Sequence, residues 1–365
     1  MDLRILVLPG DGIGPEVTAQ AVAVLHRVAE RFGHALRTVD GLIGGAAIER
    51  TGASLPAETL RAAHEADAVL LGAVGAPQFD ALPLDRRPER GLLALRQALG
   101  TFANLRPSRA WPALLDASPL KNARVEGTDL LIVRELTSGL YYGTPRGLSG
   151  TGPEERAVNT LSYTRAEIER VARVAFELAR GRRGRVTSVD KANVLENSQL
   201  WRRIVTEVAA DYDDVTLDHL LVDNCAMQLV VNPRRFDVVL TENLFGDILS
   251  DEAAVLTGSI GMLASASIGE RRPSGMRAGL YEPVHGSAPD LAGRNLANPL
   301  GAIGSAAAML DYTFGLRTEA AAIGTAIDQV VEAGEVTADL RPATPRTTTE
   351  VGRAVCDRIP AVRRS

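Results

Sequence analysis

Apolar and polar positions along the chain follow two different periods. Short, continuous apolar runs predict buried β-strands, and stretches in which apolar residues recur every three or four positions predict amphipathic helices. The runs that we assign to strands are residues 5–8, 67–75, 130–133 and 236–240. Because helical patterns lie between these strands, the order of elements favours an α/β fold in which helices cover a sheet.

Two helices and two long loops follow from the same pattern. One helix begins at GPEV, residues 14–17, directly after the glycine turn that ends the first strand. The other spans residues 165–181, where apolar side chains recur at helical spacing and Gly181 provides the stop. Residues 75–91 and 267–283 are rich in proline, glycine and charge, which predicts loops, and long loops in compact domains often carry function.

Composition and charge restrict the classes of function. The 365 residues carry a net charge of −5, and 45% of them are hydrophobic, as in ordinary soluble globular proteins. We find no basic patch with interleaved aromatic residues, and no apolar run of the roughly 18–20 residues that span a bilayer. The N-terminus lacks a signal-peptide pattern, and Cys225 and Cys356 form no disulfide or metal-ligand pattern. We therefore expect a cytoplasmic protein without a nucleic-acid or membrane partner.

The first glycine-rich turn, LPGDGIGPE at residues 8–16, follows a strand and precedes a helix, as a dinucleotide-binding loop does. Its glycines, Gly10, Gly12 and Gly14, are spaced G-x-G-x-G, whereas the dinucleotide fingerprint is G-x-G-x-x-G. A standard Rossmann site is therefore not supported. The glycines permit either a tight turn or a close approach of the backbone to a ligand, and the sequence leaves both explanations open.

The second glycine-rich stretch, EPVHGSAPDLAGRNLANP at residues 282–299, can present several backbone N–H groups to a ligand. Asp290 in this stretch is suited to accept hydrogen bonds from a ribose diol, as an acidic residue does in NAD sites. The simpler explanation for His285 is a hydrogen-bonded loop histidine.

Acidic residues stand in apolar surroundings at three points. Asp247 and Asp251 in FGDILSD lie four residues apart, so a helix places them on one face, and Asp223 in LVDNCAM also has apolar neighbours. Such carboxylates resist ionising together unless a cation neutralises them, and oxygen ligands suit Mg²⁺ or Mn²⁺. The sequence therefore predicts a metal site. An arginine paired with Asp251, together with a helix cap made by Asp247, would explain FGDILSD equally well.

Basic and phenolic side chains are candidates for substrate binding and proton transfer. Arg134 directly follows the apolar strand LLIV, and a charge at the end of a buried strand is either paired or directed at a ligand. Arg96 in GLLALRQ and Arg106 in NLRP also have distinctive neighbours, and guanidinium groups match carboxylates in bidentate geometry. Lys191 in VDKANV and Tyr141 in GLYYG are candidate acid–base groups. Each of these residues, taken singly, also has an ordinary structural explanation.

Seven distinctive segments occur in this chain in the following order: GDGIGPE, ERGLLALR, NLRP, VREL, VDKANVL, FDVVLTENLFGDILSDEAA and EPVHGSAPDLAG. From residue 4 to about 315 it resembles the β-decarboxylating dehydrogenases of 2-hydroxy acids, and its GLLALR is similar to the isopropylmalate branch. The resemblance implies an α/β, isopropylmalate dehydrogenase-like two-domain fold with a central cleft, not a standard Rossmann fold. A cofactor-binding domain would comprise residues 1–101 plus 258–365, and residues 102–257 would form the substrate, metal and dimerisation domain.

The reaction that this resemblance implies is the NAD-dependent oxidative decarboxylation of (2R,3S)-3-isopropylmalate to 4-methyl-2-oxopentanoate and CO₂, a step of leucine biosynthesis. Mg²⁺ or Mn²⁺ would assist it, and an obligate homodimer would share its active sites. Tyr141 would protonate the enolate, and Lys191 from the other subunit would help remove the hydroxyl proton. The likeness assigns substrate contacts to Arg96, Arg106, Arg134, Asp223, Glu89, Leu92 and Leu93, and metal ligation to Asp247, Asp251 and the other subunit's Asp223.

The same resemblance places NAD against residues 75–89 and 286–298. Asp290 would bind the adenosine ribose, and its carboxylate would repel a 2′-phosphate, so NAD is favoured over NADP. The implied cofactor contacts are Gly75, Glu89, His285, Gly286, Ser287, Ala288, Asp290, Leu291 and Asn298.

Two departures from the family pattern leave the substrate open. Arg90 stands where threonine is usual, and it faces either the pocket for the substrate's side group or solvent. Residues 269–280 look longer than the usual loop, and they form either a surface insertion or an added contact to the cofactor or the partner subunit. The same chemistry on another 3-alkyl- or arylmalate, D-malate, tartrate or homoisocitrate is therefore an alternative. Leu92 and Leu93 suit a branched alkyl group better than a charged one. A catalytically silent regulatory subunit is a remoter alternative, because each expected catalytic position is filled.

Overall fold

The computed structural model describes residues 1–272 and 275–361. Its strands are β1 Asp2–Gly10, β2 Ala35–Asp40, β3 Ala68–Ala73, β4 Ala103–Arg109, β5 Asp129–Glu135, β6 Gly147–Ser149, β7 Arg156–Val158, β8 Arg185–Asp190, β9 Thr216–Leu221, β10 Val238–Thr241, β11 Ala264–Arg271 and β12 Arg277–Pro283. Its α-helices are α1 Gly14–Phe32, α2 Gly44–Thr51, α3 Ala57–Glu65, α4 Pro88–Leu99, α5 Asn122–Val125, α6 Arg165–Arg180, α7 Glu196–Ala209, α8 Val222–Val231, α9 Asn243–Ala254, α10 Leu300–Tyr312, α11 Arg317–Glu332 and α12 Thr348–Arg358. Within the described residues, none of these helices is long and apolar enough to cross a membrane.

The chain divides into two compact units. The first, here called the terminal unit, comprises Met1–Thr101, Trp111–Pro119 and Thr257–Ser365. The second, the central unit, comprises Phe102–Ala110 and Leu120–Leu256. Which ligand each part of the chain binds stays a prediction, because compactness alone does not identify a ligand-binding domain.

The terminal unit is built on strands in the order β2-β1-β3-β12-β11. The first four run parallel, and β11 pairs antiparallel with β12. Strand β3 is buried along its whole length, as expected for a parallel strand covered on both faces. Leu8, Leu71 and Leu280 from three strands pack with Leu95 of α4, and α10 packs on β11 and β12. Apolar burial of this kind, worth roughly 25 cal/mol per Å², is the main stabilising contribution to such a core.

The central unit is built on strands in the order β4-β5-β10-β8-β9. Strands β5, β10, β8 and β9 run parallel, and β4 pairs antiparallel with β5. Helix α6 packs on β5, β8 and β10, and a reciprocal capping box of Thr164 and Glu167 begins it. Because parallel strands have their carboxyl ends at one edge, residues at the ends of β5, β8 and β10 come together there.

The strand and helix predictions that rest on apolar periodicity are confirmed. Runs 5–8 and 130–133 lie within β1 and β5, run 67–75 covers β3, and run 236–240 overlaps β10. The predicted helices correspond to α1, which begins at Gly14, and to α6. The α/β class is therefore correct, since a burial pattern of period 2 or 3.6 follows directly from backbone geometry.

The prediction of a loop at residues 267–283 is wrong. Strands β11 and β12 form an antiparallel hairpin there. Glycine concealed the first strand, because a Cβ at Gly269 would lie 2.8 Å from the Gly100 carbonyl oxygen, so close packing requires glycine at this point. Pro273 and Ser274, inside the stretch that looks longer than usual, lie outside the described residues.

The other predicted loop, residues 75–91, is irregular only in its first part. Two 3₁₀ turns, Pro77–Phe79 and Leu84–Arg86, are followed by α4, which begins at Pro88. Proline is favourable at the first helical position, because the N–H that it lacks would have no partner within the helix. The family segment ERGLLALR therefore lies on a helix.

Candidate active site

Helix α9 begins where β10 ends, and its first turn determines the polar edge of the central unit. The Glu242 carboxylate accepts hydrogen bonds from the backbone N–H groups of Leu244 and Phe245, at 3.1 and 2.7 Å, and so caps the helix. Burial raises the pKa of Glu242, and the two backbone donors oppose that rise. The capped helix presents Asp247 and Asp251, one turn apart, on one face.

Asp247 lies at the centre of a charged cluster. Its Oδ1 accepts from Arg134 Nη1 at 2.5 Å and lies 3.6 Å from Arg106 Nη2. Its Oδ2 accepts from the Tyr141 hydroxyl at 2.9 Å. Asp251 Oδ1 lies 3.3 Å from Arg106 Nη1. Two guanidinium groups therefore face the two carboxylates that the helix places side by side, and this pairing makes their spacing tolerable.

These contacts test the explanation of FGDILSD in which no metal is needed, with Asp251 paired to an arginine and Asp247 capping the helix. Pairing of Asp251 with an arginine is confirmed. The assignment of the helix cap to Asp247 is wrong, because Glu242 caps α9 and Asp247 lies a full turn inside the helix. The carboxylates are thus neutralised within the chain before any ion is considered.

Two shifted pKa values describe the electrostatics of the cluster. Desolvation and the Asp247 charge raise the pKa of Tyr141 to about 12, so its hydroxyl stays protonated at neutral pH. Partial desolvation raises the pKa of Asp251; the Asp247 charge adds to this rise, and Arg106 opposes it. The cluster thus holds one phenolic proton donor beside carboxylates that a cation would stabilise.

Lys191 and Asp223 form a second polar pair in the central unit. Lys191 Nζ donates to Asp223 Oδ1 at 2.8 Å, and this contact lowers the pKa of the Asp223 carboxyl. Among the residues that the structure describes, no three His, Cys, Asp or Glu side chains of one chain are placed to hold a metal ion. One copy therefore does not bring Asp223 together with Asp247 and Asp251.

In the terminal unit, α4 carries the predicted substrate residues of ERGLLALR. Arg96 is buried and donates to Glu282 Oε1 at 2.5 Å. Leu92 and Leu93 are half-buried, whereas Glu89 is exposed. Arg90 is also exposed, as in the solvent-facing reading of that residue. The helix therefore provides an apolar pair and one buried, paired cation.

The two glycine-rich stretches meet in the terminal unit. A Cβ at Gly12 would lie 1.9 Å from the Ser287 carbonyl oxygen, and that oxygen accepts from the Ile13 N–H at 2.8 Å. Gly12 also has φ +57°, which glycine adopts without strain. The glycines of LPGDGIGPE are thus required for the turn and for its packing against residues 282–299.

Asp11, between these glycines, organises three pieces of backbone. Its carboxylate accepts from the N–H groups of Gly45, Ala46 and Gly75, each at 2.8 or 2.9 Å. The first two belong to the N-terminal turn of α2, where a negative charge is favourable. The third is the start of the stretch to which family resemblance assigns NAD. A buried aspartate therefore fixes the position of Gly75.

A cavity of about 230 Å³ lies beside this turn. It is lined by Gly10, Asp11, Gly12, Ala46, Glu49, Gly75, Ala76, Pro77, Gln78 and Pro289. Both segments to which the resemblance assigns NAD therefore contribute to one cavity, as a ligand between them would require.

Residues of the second glycine-rich stretch differ in whether their hydrogen-bonding groups already have partners within the chain. His285 is buried; its Nδ1 contacts the Gly286 carbonyl oxygen, and its Nε2 has no hydrogen-bond partner among the described residues. Burial lowers the pKa of His285, so the ring is neutral at pH 7. Asp290 is exposed. Asn298 already donates to Asp339 and accepts from the Leu300 N–H that begins α10.

Sequence reasoning missed four polar residues of these sites. They are Asp11, Asn104, Asn243 and Glu282. Each is buried. Each forms a hydrogen bond either with a residue that the sequence pattern selected or with the backbone of such a residue. Their signal was present, since a polar residue inside an otherwise apolar stretch must find a partner, but the identity of the partner follows only from the fold.

Comparisons with known proteins agree with the pattern of these residues. The family model described as isocitrate/isopropylmalate dehydrogenase matches residues 4–355. A 3-isopropylmalate dehydrogenase of Halalkalibacterium halodurans is 55% identical, over 98% of this chain and 97% of its own length. One of Geobacillus kaustophilus is 58% identical, over 93% of this chain and 90% of its own.

Solved structures agree with the fold. The crystal structure of isocitrate dehydrogenase from Methylococcus capsulatus superposes with a TM-score of 0.85 at 36% identity, and the match covers 98% of this chain and 99% of that one. A β-decarboxylating dehydrogenase from Thermococcus kodakarensis gives 0.77 at 38% identity, covering 98% and 96%.

Replacing Asp11 by alanine should destabilise the protein by about 2–3 kcal/mol, because buried backbone N–H groups lose a charged acceptor. Denaturant unfolding measures this change. Asp40→Ala, at an exposed position of β2 in the same unit, is the matched control and should stay within about 0.5 kcal/mol of the wild type. Equal stability of the two variants would contradict the organising role of Asp11.

Proposed function

The chain belongs to the isocitrate/isopropylmalate dehydrogenase family, and we propose that it catalyses the NAD-dependent oxidative decarboxylation of (2R,3S)-3-isopropylmalate to 4-methyl-2-oxopentanoate and CO₂, a step of leucine biosynthesis. The observation that carries this proposal is the near full-length similarity to 3-isopropylmalate dehydrogenases at 54–58% identity. The cluster around Asp247 supports it, because cations and a protonated phenol suit a dicarboxylate that must be bound and later protonated.

Arginines bind the substrate in this proposal. Arg106 and Arg134 are cationic, close together and presented at the edge of the central unit's sheet. A guanidinium group matches a carboxylate in bidentate geometry. Arg96 has the same role by its place in GLLALR. Leu92 and Leu93, on the same helix, provide the apolar surface that an isopropyl group requires.

The donor set of the central unit fits a divalent cation. Asp247 and Asp251 contribute carboxylate oxygens on one helix face, and an ion would stabilise the Asp251 carboxylate, whose pKa is raised first by desolvation and then by the Asp247 charge. Asp223 completes the set from a second copy of the chain, since one copy does not bring it to the other two. Bound Mg²⁺ or Mn²⁺ supplies Lewis-acid stabilisation of negative charge developing on substrate oxygen.

The terminal unit fits NAD. The cavity beside Asp11 leaves space for a ligand, and, among the described residues, the buried His285 Nε2 has no hydrogen-bond partner. Bound NAD⁺ accepts the hydride that leaves C2 of the substrate. The residues that would hold it are Gly75, Glu89, His285, Gly286, Ser287, Ala288, Asp290, Leu291 and Asn298.

Two residues of the chain handle protons. Lys191, contributed by the second copy, would act near C2 and help remove the hydroxyl proton as C2 is oxidised. Loss of CO₂ then leaves an enolate, and Tyr141 donates its phenolic proton to C3. The hydrogen bond to Asp247 orients this hydroxyl, and the pKa of about 12 keeps its proton in place until the enolate forms.

A homodimer follows from the same proposal, because Lys191 and Asp223 act in the other copy's site. Helices α8 and α9 pack together and expose large apolar side chains: Met227, Val230 and Val231 on α8, and Ile248 on α9. Met227 is 62% exposed and Ile248 57% exposed. Exposed apolar side chains on two packed helices are typical of a protein–protein interface.

NADH formation against a panel of acids tests the function. We expect turnover with NAD⁺ and Mg²⁺ or Mn²⁺ to be fastest for 3-isopropylmalate, ahead of 3-methylmalate, 3-benzylmalate, D-malate, isocitrate and homoisocitrate. Clear preference for another acid would assign the chain to a different pathway. Faster turnover with NADP⁺ would contradict the role of Asp290.

Asp247→Asn should lower cation-dependent turnover about 100-fold or more, because it removes the negative charge of a proposed metal ligand and leaves one oxygen in place of the two that accept from Arg134 and Tyr141. Calorimetric titration with Mn²⁺ should show a parallel loss of affinity. Asp214→Asn is the matched control. Asp214 pairs with Arg180, also in the central unit, and the change likewise removes the charge of an arginine's partner. Similar kinetics in the two variants would contradict the metal assignment.

Ile248→Asp should convert the dimer to monomers, because it places a charge inside the apolar surface of α8 and α9. Light scattering measures the mass, and activity should fall with dimer content. Val39→Asp, an equally exposed position on β2, is the control. A fully active monomer would exclude sharing of Lys191 and Asp223 between copies.

A further inference from the structure

Two fully buried asparagines accept hydrogen bonds from the two arginines that pair with Asp247 and Asp251. Asn243 Oδ1 accepts from Arg134 Nε at 3.0 Å and from Arg134 Nη2 at 2.7 Å. Asn104 Oδ1 accepts from Arg106 Nε at 2.8 Å. Both amides accept from Nε, and the amide of Asn243 also accepts from Nη2. Nη1 of Arg134 donates to Asp247, and Nη1 of Arg106 donates to Ser250 Oγ at 2.6 Å and to Asp251 at 3.3 Å.

The asparagines are themselves fixed by the fold. Asn104 lies opposite Arg134 in the antiparallel register of β4 and β5, which brings the two side chains close. Asn243 is the first residue of α9; its Nδ2 donates to the Ser138 carbonyl oxygen at 2.9 Å, and its backbone N–H donates to the Tyr163 hydroxyl at 3.0 Å. Neither amide can turn away without losing a buried hydrogen bond.

The stem of Arg134 is also confined. A Cβ at Gly246 would lie 2.6 Å from Arg134 Cγ, so the stem packs directly on the backbone of α9. Arg134 is only 2% exposed. This packing restricts the orientation of Arg134, and the amide of Asn243 holds Nε and Nη2 while Nη1 donates to Asp247.

The choice of an amide matters for charge. The ion pairs of the described cluster join two arginines, Arg106 and Arg134, to two aspartates, Asp247 and Asp251, and the Glu242 carboxyl also interacts with Arg134, so positive charge is not in excess. An amide oxygen accepts the same hydrogen bonds as a carboxylate but adds no negative charge. Carboxylates at positions 104 and 243 would leave an excess of negative charge, and a dicarboxylate would then be repelled.

We infer that Asn104 and Asn243 are positioning residues that orient Arg106 and Arg134 for a substrate dicarboxylate without adding negative charge beside either guanidinium group. The inference rests on the proposed function and adds to it the residues that prepare the carboxylate site. Neither asparagine touches the reacting atoms; both act through an arginine.

Asn243→Ala tests the orienting role. It should raise KM for the malate substrate and lower kcat/KM by roughly tenfold or more, because Arg134 loses two hydrogen bonds from a charged donor. The dissociation constant for NADH should change less than about twofold. Thr241→Val is the matched control: it removes one buried hydrogen bond, from Thr241 to the Val189 carbonyl, at the end of the neighbouring strand. Kinetics equal to those of the control would overturn the inference.

Asn243→Asp tests the charge argument separately. The side chain keeps its size and the oxygen that faces Arg134, adds a negative charge, and loses the Nδ2 donor to the Ser138 carbonyl, which Asn243→Ala loses as well. We expect a folded protein whose KM for the dicarboxylate is again raised roughly tenfold or more, with NADH binding unchanged. A KM within about twofold of the wild type would show that neutrality is not required and would overturn that part of the inference.

Two further measurements keep the outcomes distinct. If Asn243→Ala does not fold, Asn104→Ala carries the same test at Arg106, with the same expected and contrary results. If the wild type turns over no 3-substituted malate, the proposed function fails. An active wild type whose asparagine variants match Thr241→Val overturns only the positioning role.

Discussion

Charge compensation around the Asp247 carboxylate is the constraint on which the central unit's polar edge depends. Helix α9 places two carboxylates one turn apart, and such a pair in partly desolvated surroundings is unfavourable unless cations stand close by. Arg134 at 2.5 Å and Arg106 at 3.6 Å supply that charge. The same contacts orient the Tyr141 hydroxyl and keep both guanidinium groups at the edge of the sheet. The polar edge thus pairs its charged groups within the chain.

The side chains that hold the arginines and the start of α9 in place add no unpaired charge to this cluster. Arg106 and Arg134 are also held by uncharged groups, the amides of Asn104 and Asn243 and the Ser250 hydroxyl, and the helix cap is a glutamate whose carboxylate is occupied by backbone N–H groups. Tyr163 contacts both Glu242 and the backbone of Asn243, so the cap and the amide are linked through one buried hydroxyl. Burial raises the pKa of Tyr163 far above its ordinary value, so this hydroxyl remains a neutral donor. Networks of this kind are stable only when every member is satisfied.

The terminal unit uses one buried carboxylate in a comparable way. Asp11 collects three backbone N–H groups and so joins the glycine turn to α2 and to Gly75. Gly12 must be glycine because the Ser287 carbonyl occupies the space of a side chain. The turn fails the dinucleotide fingerprint because its glycines serve backbone packing and a buried aspartate, whereas the fingerprint serves a pyrophosphate at a helix N-terminus.

The sequence alone determined the α/β class, the strands at β1, β3, β5 and β10, the helices α1 and α6, and the family, because periodicity and local motifs depend on neighbours in the chain. It misread residues 267–283, where glycine hides strands that only packing explains. Tertiary structure decided which acceptor holds each arginine, that Glu242 and not Asp247 caps α9, and that Asp11 joins three distant segments. Asn104 lies opposite Arg134 only through the register of β4 and β5. Such partnerships join residues far apart in the chain, and no local pattern records a distance between them.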